Sequence, residues 1–418
     1  MTITAGKRDR GTAGTVFLVA VAVIAVHVVD DSFAQPEDGT SAGDHLVSGL
    51  VPLAALAIAA AVYPRARAGV GATIALMVGL FGVVAGLEGW HYAREVGASG
   101  DDYTGLVTLP AGVVLLLLAA VTLWRSRRTK GSRARRYLRR GLIGIVGLLV
   151  AAAVVIPFMA SYAFTHLARA IVPEPDLGGA AYKEVAFQTS DGLELAGWYI
   201  PSKNGAAVIA FPGRAGPRTP ARFLAHQGYG VLLFDRRGEG ESEGDPNSFG
   251  WGGTKDVEAA ITFLHSRPDV EPDRIGGIGL SVGGEMLIEA AAETDALKAI
   301  VSEGAGIRSV REATELSGAG KWLQLPTWAA TTLGTAIFSN RGPPPNLKDL
   351  VRRIAPRPVF LIYAERGEGG EELTADYHNA AGEPKQLWKT HSRHTGGYDA
   401  DPQEYQRRVV GFFDEALD

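Results

Sequence analysis

The 418-residue chain contains no cysteine. Disulfides, a thiol nucleophile and cysteine-based zinc or iron-sulfur sites are therefore excluded, although no compartment is selected, since oxidising and reducing locations both tolerate thiol-free chains. Excess charge is also scarce: 41 Lys and Arg stand against 45 Asp and Glu. No whole-chain positive field exists to attract nucleic acid, which is not among the expected partners. Apolar residues, by contrast, are abundant. At 46% hydrophobic, with a positive mean hydropathy, the chain is too apolar to be wholly water-soluble and too long for one small domain.

Five apolar stretches precede residue 165, at 15–29, 46–62, 69–87, 105–124 and 141–164. Each approaches the ~20 residues that cross a hydrocarbon core, and none carries the wet face that a helix of a soluble bundle needs. Charge alternates between them. Lys7, Arg8 and Arg10 precede the first stretch; Asp30, Asp31, Glu37, Asp38 and Asp44 follow it; Arg65 and Arg67 come next; then Glu88, Glu95, Asp101 and Asp102; then a cluster from Arg125 to Arg140. The positive-inside rule places the amino terminus inside and everything after Phe164 on the outer face. The first stretch also fits the apolar region of a signal peptide ending at Ser32-Phe33-Ala34, which leaves the rest of the chain outside as well. His91 and Glu88 read as interfacial residues and the arginine cluster as a topology determinant.

Val172-Pro173-Glu174-Pro175-Asp176 with Gly178-Gly179 reads as a stiff linker. The expected organisation is a membrane region over 1–170, a linker over 171–180 and a second domain over 181–418. Residues 182–189 and 193–200, joined by Ser190-Asp191-Gly192, predict an antiparallel hairpin. Beyond it, apolar strands at 206–211, 230–235, 274–280 and 297–302 alternate with helices at 219–226, 254–265 and 282–292. Strands buried on both faces and joined by helices predict a parallel sheet, with a site at the carboxyl ends of its strands. A long insertion over about 304–356 holds Trp322, Trp328 and Phe338 and ends in Pro343-Pro344-Pro345. It reads either as a cap shaping a hydrophobic pocket or as aromatic packing.

Gly279-Leu280-Ser281-Val282-Gly283 lies between a strand-like and a helix-like run. So sharp a turn requires small residues two before and two after the serine, and it thrusts the hydroxyl out at the sheet edge. Gly240-Glu241-Ser242-Glu243-Gly244 has the same spacing, but polar residues separate it from the preceding strand and Asp245-Pro246-Asn247 follows where a helix should begin. Context selects Ser281.

Four landmarks now stand in order: Phe211-Pro212-Gly213-Arg214, the segment from Asp235 to Ser242, the turn at Ser281, and His394-Thr395-Gly396-Gly397. On these, residues 180–418 resemble the α/β-hydrolase superfamily, in particular its esterase and dienelactone-hydrolase-like branch. The resemblance implies an α/β-hydrolase fold, a mostly parallel sheet flanked by helices with a cap insertion, preceded here by a helical transmembrane region. It implies a serine hydrolase whose nucleophile, acid and base follow in that chain order, with no metal or organic cofactor.

His394, in a glycine-containing loop before the terminal helix, is the candidate base, and His391, at the end of a strand, is its rival. The acid is expected after the strand at 358–364, where the chain offers Glu368 and then Glu371; Glu303 is a third possibility. The backbone N–H groups of Val282 and Arg214 are the implied oxyanion hole, although Pro212-Gly213 stands where the family usually has His-Gly. The segment from Asp235 to Ser242 reads as a packed turn under the site. The expected activity is hydrolysis of a small-molecule or lipid-like carboxylic ester by an outward-facing domain of a multi-pass membrane protein. A peptidase or thioesterase of the same fold is the enzymatic alternative, and an inactive hydrolase fold serving as a binding or scaffold module is the non-enzymatic one.

Overall fold

The computed structural model describes residues 2–95, 97–98, 100–126, 132–167, 177, 179–211 and 219–418. The chain divides into two compact units, Met1–Arg169 with Pro326–Arg341, and Ala170–Leu325 with Gly342–Asp418. Residues 171–176 and 178 of the expected linker lie outside the described residues.

Among the described residues, five helices of the first unit are long and apolar enough to cross a membrane: Gly11–Ala34, Leu46–Arg65, Ala68–Glu95, Asp102–Arg125 and Tyr137–His166. Polar contacts join them at one end. Thr104 Oγ1 donates to Asp30 at 2.9 Å and lies 3.2 Å from His27 Nδ1. Tyr162 Oη donates to the buried Glu88 carboxylate at 2.5 Å, and Tyr92 Oη donates to the His166 carbonyl at 2.6 Å. Glu88 is thus enclosed between helices. All these contacts lie at the helix ends that adjoin the acidic loops.

The insertion is divided between the units. Its helix Lys321–Phe338 begins in the second, and from Pro326 to Arg341 the chain belongs to the first. There Ser161 Oγ donates to the Thr331 carbonyl at 3.0 Å.

The second unit is one eight-stranded sheet ordered β1-β2-β4-β3-β5-β6-β7-β8. Its strands are β1 (Lys183–Gln188), β2 (Glu194–Ile200), β3 (Ala207–Phe211), β4 (Gly230–Phe234), β5 (Ile275–Leu280), β6 (Ala299–Glu303), β7 (Val359–Arg366) and β8 (Lys385–Arg393). β2 pairs antiparallel with β1 and β4, and every other pairing is parallel. The continuous apolar runs of β3, β4 and β5 are buried on both faces, as a parallel sheet covered by helices requires. One face packs Val208, Val231, Ile278 and Phe360 with Tyr405, Val409 and Phe413 of the terminal helix Pro402–Leu417. Strand β7 runs past the end at 364 read from sequence, and β8 continues beyond His391 to Arg393. His391 therefore lies inside β8, exposed, with Nδ1 3.0 Å from Glu365 on the neighbouring strand.

Candidate active site

The carboxyl end of β5 leads without a loop into the helix Val282–Glu293, and Ser281 is the one residue between them. Its backbone takes φ 54° and ψ −125°, a left-handed conformation that a side chain adopts only under constraint. The constraint is visible on both sides. Ser281 N–H donates to the Glu303 carbonyl of β6 at 2.7 Å, and the Ser281 carbonyl accepts from Glu285 N–H at 3.1 Å. The helix doubles back so tightly that a Cβ on Gly279 would come 2.4 Å from the Gly283 backbone. That is why the small-residue spacing was legible.

Ser281 Oγ lies 2.9 Å from His394 Nε2, and His394 Nδ1 lies 2.9 Å from Glu371 Oε2. An ionised carboxylate can only accept, so Nδ1 carries the imidazole proton, and Nε2 is left to accept from the serine hydroxyl. Glu371 is fully buried, and its other oxygen accepts from Ala364 N–H at 2.7 Å. The hydrogen bond to Glu371 holds the His394 pKa above the ordinary imidazole value, against the opposing effect of burial.

Of the two carboxylates expected after β7, the structure brings Glu371 to the histidine and leaves Glu368 exposed in the loop. The preference for Glu368 is corrected for a simple reason. β7 continues to Arg366, so Glu368 is only two residues from the strand end, whereas the turn Glu371–Leu373 folds back beneath the site. Glu303 does not bond to His394. Its buried carboxylate accepts from Gly397 N–H at 2.9 Å and from Tyr405 Oη at 2.6 Å, tying the loop after His394 to the terminal helix. Burial raises the Glu303 pKa, while these two donors oppose the rise.

Val282 N–H opens the helix after Ser281 and so belongs to the turn whose N–H groups lack helical partners, the position an oxyanion donor needs. Arg214, the other implied donor, lies outside the described residues, which omit 212–218. Ser242 is engaged with the backbone. Its buried hydroxyl donates to the Asp235 carbonyl at 2.7 Å and accepts from Ala196 N–H at 3.0 Å. In the same segment Arg237 pairs with Asp256 at 2.7 Å and Asp191 at 3.0 Å.

One supporting group carried no signal in the sequence. Buried Arg308 pairs with Glu289 of the helix after Ser281 at 2.5 Å and with Glu312 at 3.2 Å, fixing that helix to the start of the insertion. No cluster of three or more His, Asp or Glu able to hold a metal occurs among the described residues.

Comparison with known proteins extends these observations. The chain is 37% identical over 115 residues to the uncharacterized protein Rv2307c of Mycobacterium tuberculosis, covering 26% of this chain and 40% of that protein. It is 36% identical over 133 residues to the thiohydrolase aneE of Aspergillus aculeatus, covering 29% of this chain and 41% of that protein. The chain thus spans about 40% of the length of these curated relatives. The solved structure of the Pyrococcus furiosus esterase Pf2001 aligns with a TM-score of 0.48 at 22% identity, over 60% of this chain and 99% of that one. Residues 155–409 match the family described as X-Pro dipeptidyl-peptidase (S15 family), a serine-hydrolase family of α/β-hydrolase type. With more than half of its length matched, the chain belongs to that family.

Proposed function

We propose that this chain is a membrane-anchored serine hydrolase that cleaves carboxylic esters through an acyl-enzyme. The observation that carries the proposal is the unbroken hydrogen-bonded line from Ser281 Oγ through His394 to Glu371. In this reading Ser281 Oγ attacks the ester carbonyl as its proton passes to His394 Nε2. Glu371 stabilises the imidazolium and keeps the ring oriented, and the tetrahedral oxyanion accepts from Val282 N–H. Collapse expels the alcohol, which takes the proton from His394. Water then repeats the sequence on the acyl-enzyme, releasing the acid and restoring Ser281.

The family description favours a second reading, cleavage of a peptide bond. An enzyme that removes dipeptides from a free amino terminus must neutralise the substrate ammonium beside the nucleophile. The acidic groups described around Ser281 are engaged internally: Glu303 with Gly397 and Tyr405, Glu371 with Ala364 and His394, and Glu285 with Gly306 N–H at 2.8 Å. That occupancy supports the ester over the dipeptidyl substrate. The thioester alternative is suggested by the name of the aneE relative alone.

For orientation, the alternation of acidic and basic loops supports a hydrolase domain on the outer face. So do the contacts of Tyr162 and His166 with Glu88 and Tyr92, which put the exit of the last helix at the acidic-loop end of the first unit.

Intact cells treated with a charged, membrane-impermeant fluorophosphonate test chemistry and orientation together. The wild type should label and Ser281→Ala should not. Labelling only after the membrane is opened would overturn the orientation, and a folded wild type that never labels would overturn the enzyme. Turnover of matched ester and X-Pro amide substrates then separates the two activities.

A further inference from the structure

The part of the insertion that belongs to the first unit is fixed there by more than chain connectivity. A Cβ on Gly334 would come 2.7 Å from Ser161 Oγ, so the two helices meet at their smallest residues, as helices do in a membrane. Asn340 secures the far end. Its Oδ1 accepts from Val47 N–H at 3.2 Å, and its amide donates to the Asp44 carbonyl. Phe338 is buried, with its ring centroid 5.4 Å from that of Phe158 and 6.2 Å from that of Phe81.

Docked in this way, the insertion helix closes one wall of a cleft of about 160 Å³. The other walls come from the second, third and fifth apolar helices, through Val51, Leu56, Met77, Phe81 and Phe158. No polar side chain lines it. Val51 is exposed, so the cleft reaches the outward surface of a helix whose length suits it to hydrocarbon. An unfilled cleft forfeits dispersion contacts along its whole lining, and walls without donors or acceptors give water nothing to bond.

We propose that this cleft binds one acyl chain of a bilayer phospholipid. Hydrocarbon is the only chemistry its walls can match, and hydrocarbon surrounds the helices that form it. Met77 and Met159 give two of those walls unbranched, adaptable side chains suited to a flexible chain. The site exists only while Pro326–Phe338 is docked, on a segment that leaves β6 and returns to β7. The inference rests on the membrane placement of the first unit and is independent of the chemistry at Ser281.

The test is native mass spectrometry of the full chain released in mild detergent from vesicles of phosphatidylethanolamine and phosphatidylglycerol. Wild type should retain one phospholipid per chain. Val78→Trp, which fills the cleft, should cut retention roughly tenfold, the equivalent of losing one or two buried methylenes. Leu117→Trp, at an exposed apolar position, should leave retention unchanged. Should Val78→Trp fail to accumulate, Met159→Trp makes the same test from another wall. A wild type that retains no lipid, equal retention in the filled variants, or retention set by headgroup rather than chain would each overturn the proposal. A second copy of the chain released by the same variants would also overturn it, in favour of a chain–chain interface. Failure of the membrane reading itself would show separately, as chain released from vesicles by alkaline carbonate.

Discussion

In the sheet of the second unit Ile209, Leu232 and Phe360 are fully buried, whereas in the first unit Ile58, Leu117 and Leu148 are 65%, 61% and 69% exposed. Glycine holds the close contacts between two helices of the first unit. The third and fourth apolar helices meet so closely that a Cβ on Gly86 would come 2.6 Å from the Leu109 backbone nitrogen, and one on Gly112 would come 2.6 Å from that of Val83. In water, burying large apolar side chains is the main favourable term, so the sheet takes them inside. In hydrocarbon that drive would be absent and close packing of small residues would carry more of the association, which is the pattern the proposed membrane placement calls for, although Phe17, Ile24 and Leu115 are also buried in the first unit. Apolar sequence therefore reports the medium around a segment as much as its burial.

The largest expected effect falls in the second unit and tests which carboxylate serves His394. Glu371→Gln keeps an acceptor but weakens the hold on the His394 tautomer, and should lower kcat/KM for a soluble activated ester by about 10²–10⁴-fold. Glu368→Gln should stay within about twofold, as expected of an exposed loop residue. Steady-state kinetics on both variants decide it. Equal losses would mean that the loop, and not one carboxylate, serves the histidine.

That pair also marks where sequence reading stopped. Ser281 was legible because its neighbours must be small for a local reason, the approach of Gly279 to Gly283. His394 was legible because its loop precedes a strongly patterned terminal helix. Between Arg366 and Leu373 the chain is a run of Glu and Gly without periodicity, and the choice of acid is made by tertiary contacts. The Ala364 N–H receives one oxygen of Glu371, and Ile307 packs so near Gly370 that a Cβ there would come within 2.4 Å of its side chain. Glu303 misled for a related reason. It ends β6 at the right edge of the sheet, but its carboxylate points to Gly397 and Tyr405. The insertion was read as a cap over a pocket or as aromatic packing, and that its helix joins the first unit carried no sequence signal, because an apolar helix reads the same in either place. The meeting of Ser161 with Thr331 and Gly334, and of Asn340 with Val47 and Asp44, shows where it goes.

The next effect inverts the packing rule. Leu232→Ala in β4 should cost about 2–5 kcal/mol of stability, while Leu117→Ala, at an exposed position, should change it by less than about 0.5 kcal/mol. The reciprocal change, Gly86→Leu, should cost about 1–3 kcal/mol through overpacking, whereas Gly141→Leu, with nothing within 4 Å, should be tolerated. Thermal unfolding of the purified chain in detergent ranks the four. A large loss at Leu117 would mean that this face is covered by protein.

The smallest effect is a shift along the pH axis. His394 must be neutral to accept the serine proton, so activity falls as pH drops through its pKa. Glu371 holds that pKa above the ordinary ~6.5, which places the acid limb of kcat/KM on the high side of an unperturbed histidine. The Glu303 carboxylate also favours the imidazolium, more weakly. Glu303→Gln retains an acceptor for Gly397 or Tyr405 but removes the charge, so the limb should move to lower pH by less than about one unit, with little change in its plateau. Glu88→Gln removes a buried carboxylate of the first unit and should leave the limb where it is. A limb that followed Glu88 would count against the proposed division between a membrane-embedded support and a separate catalytic domain, because a carboxylate of the first unit would then act on the histidine proposed as the base.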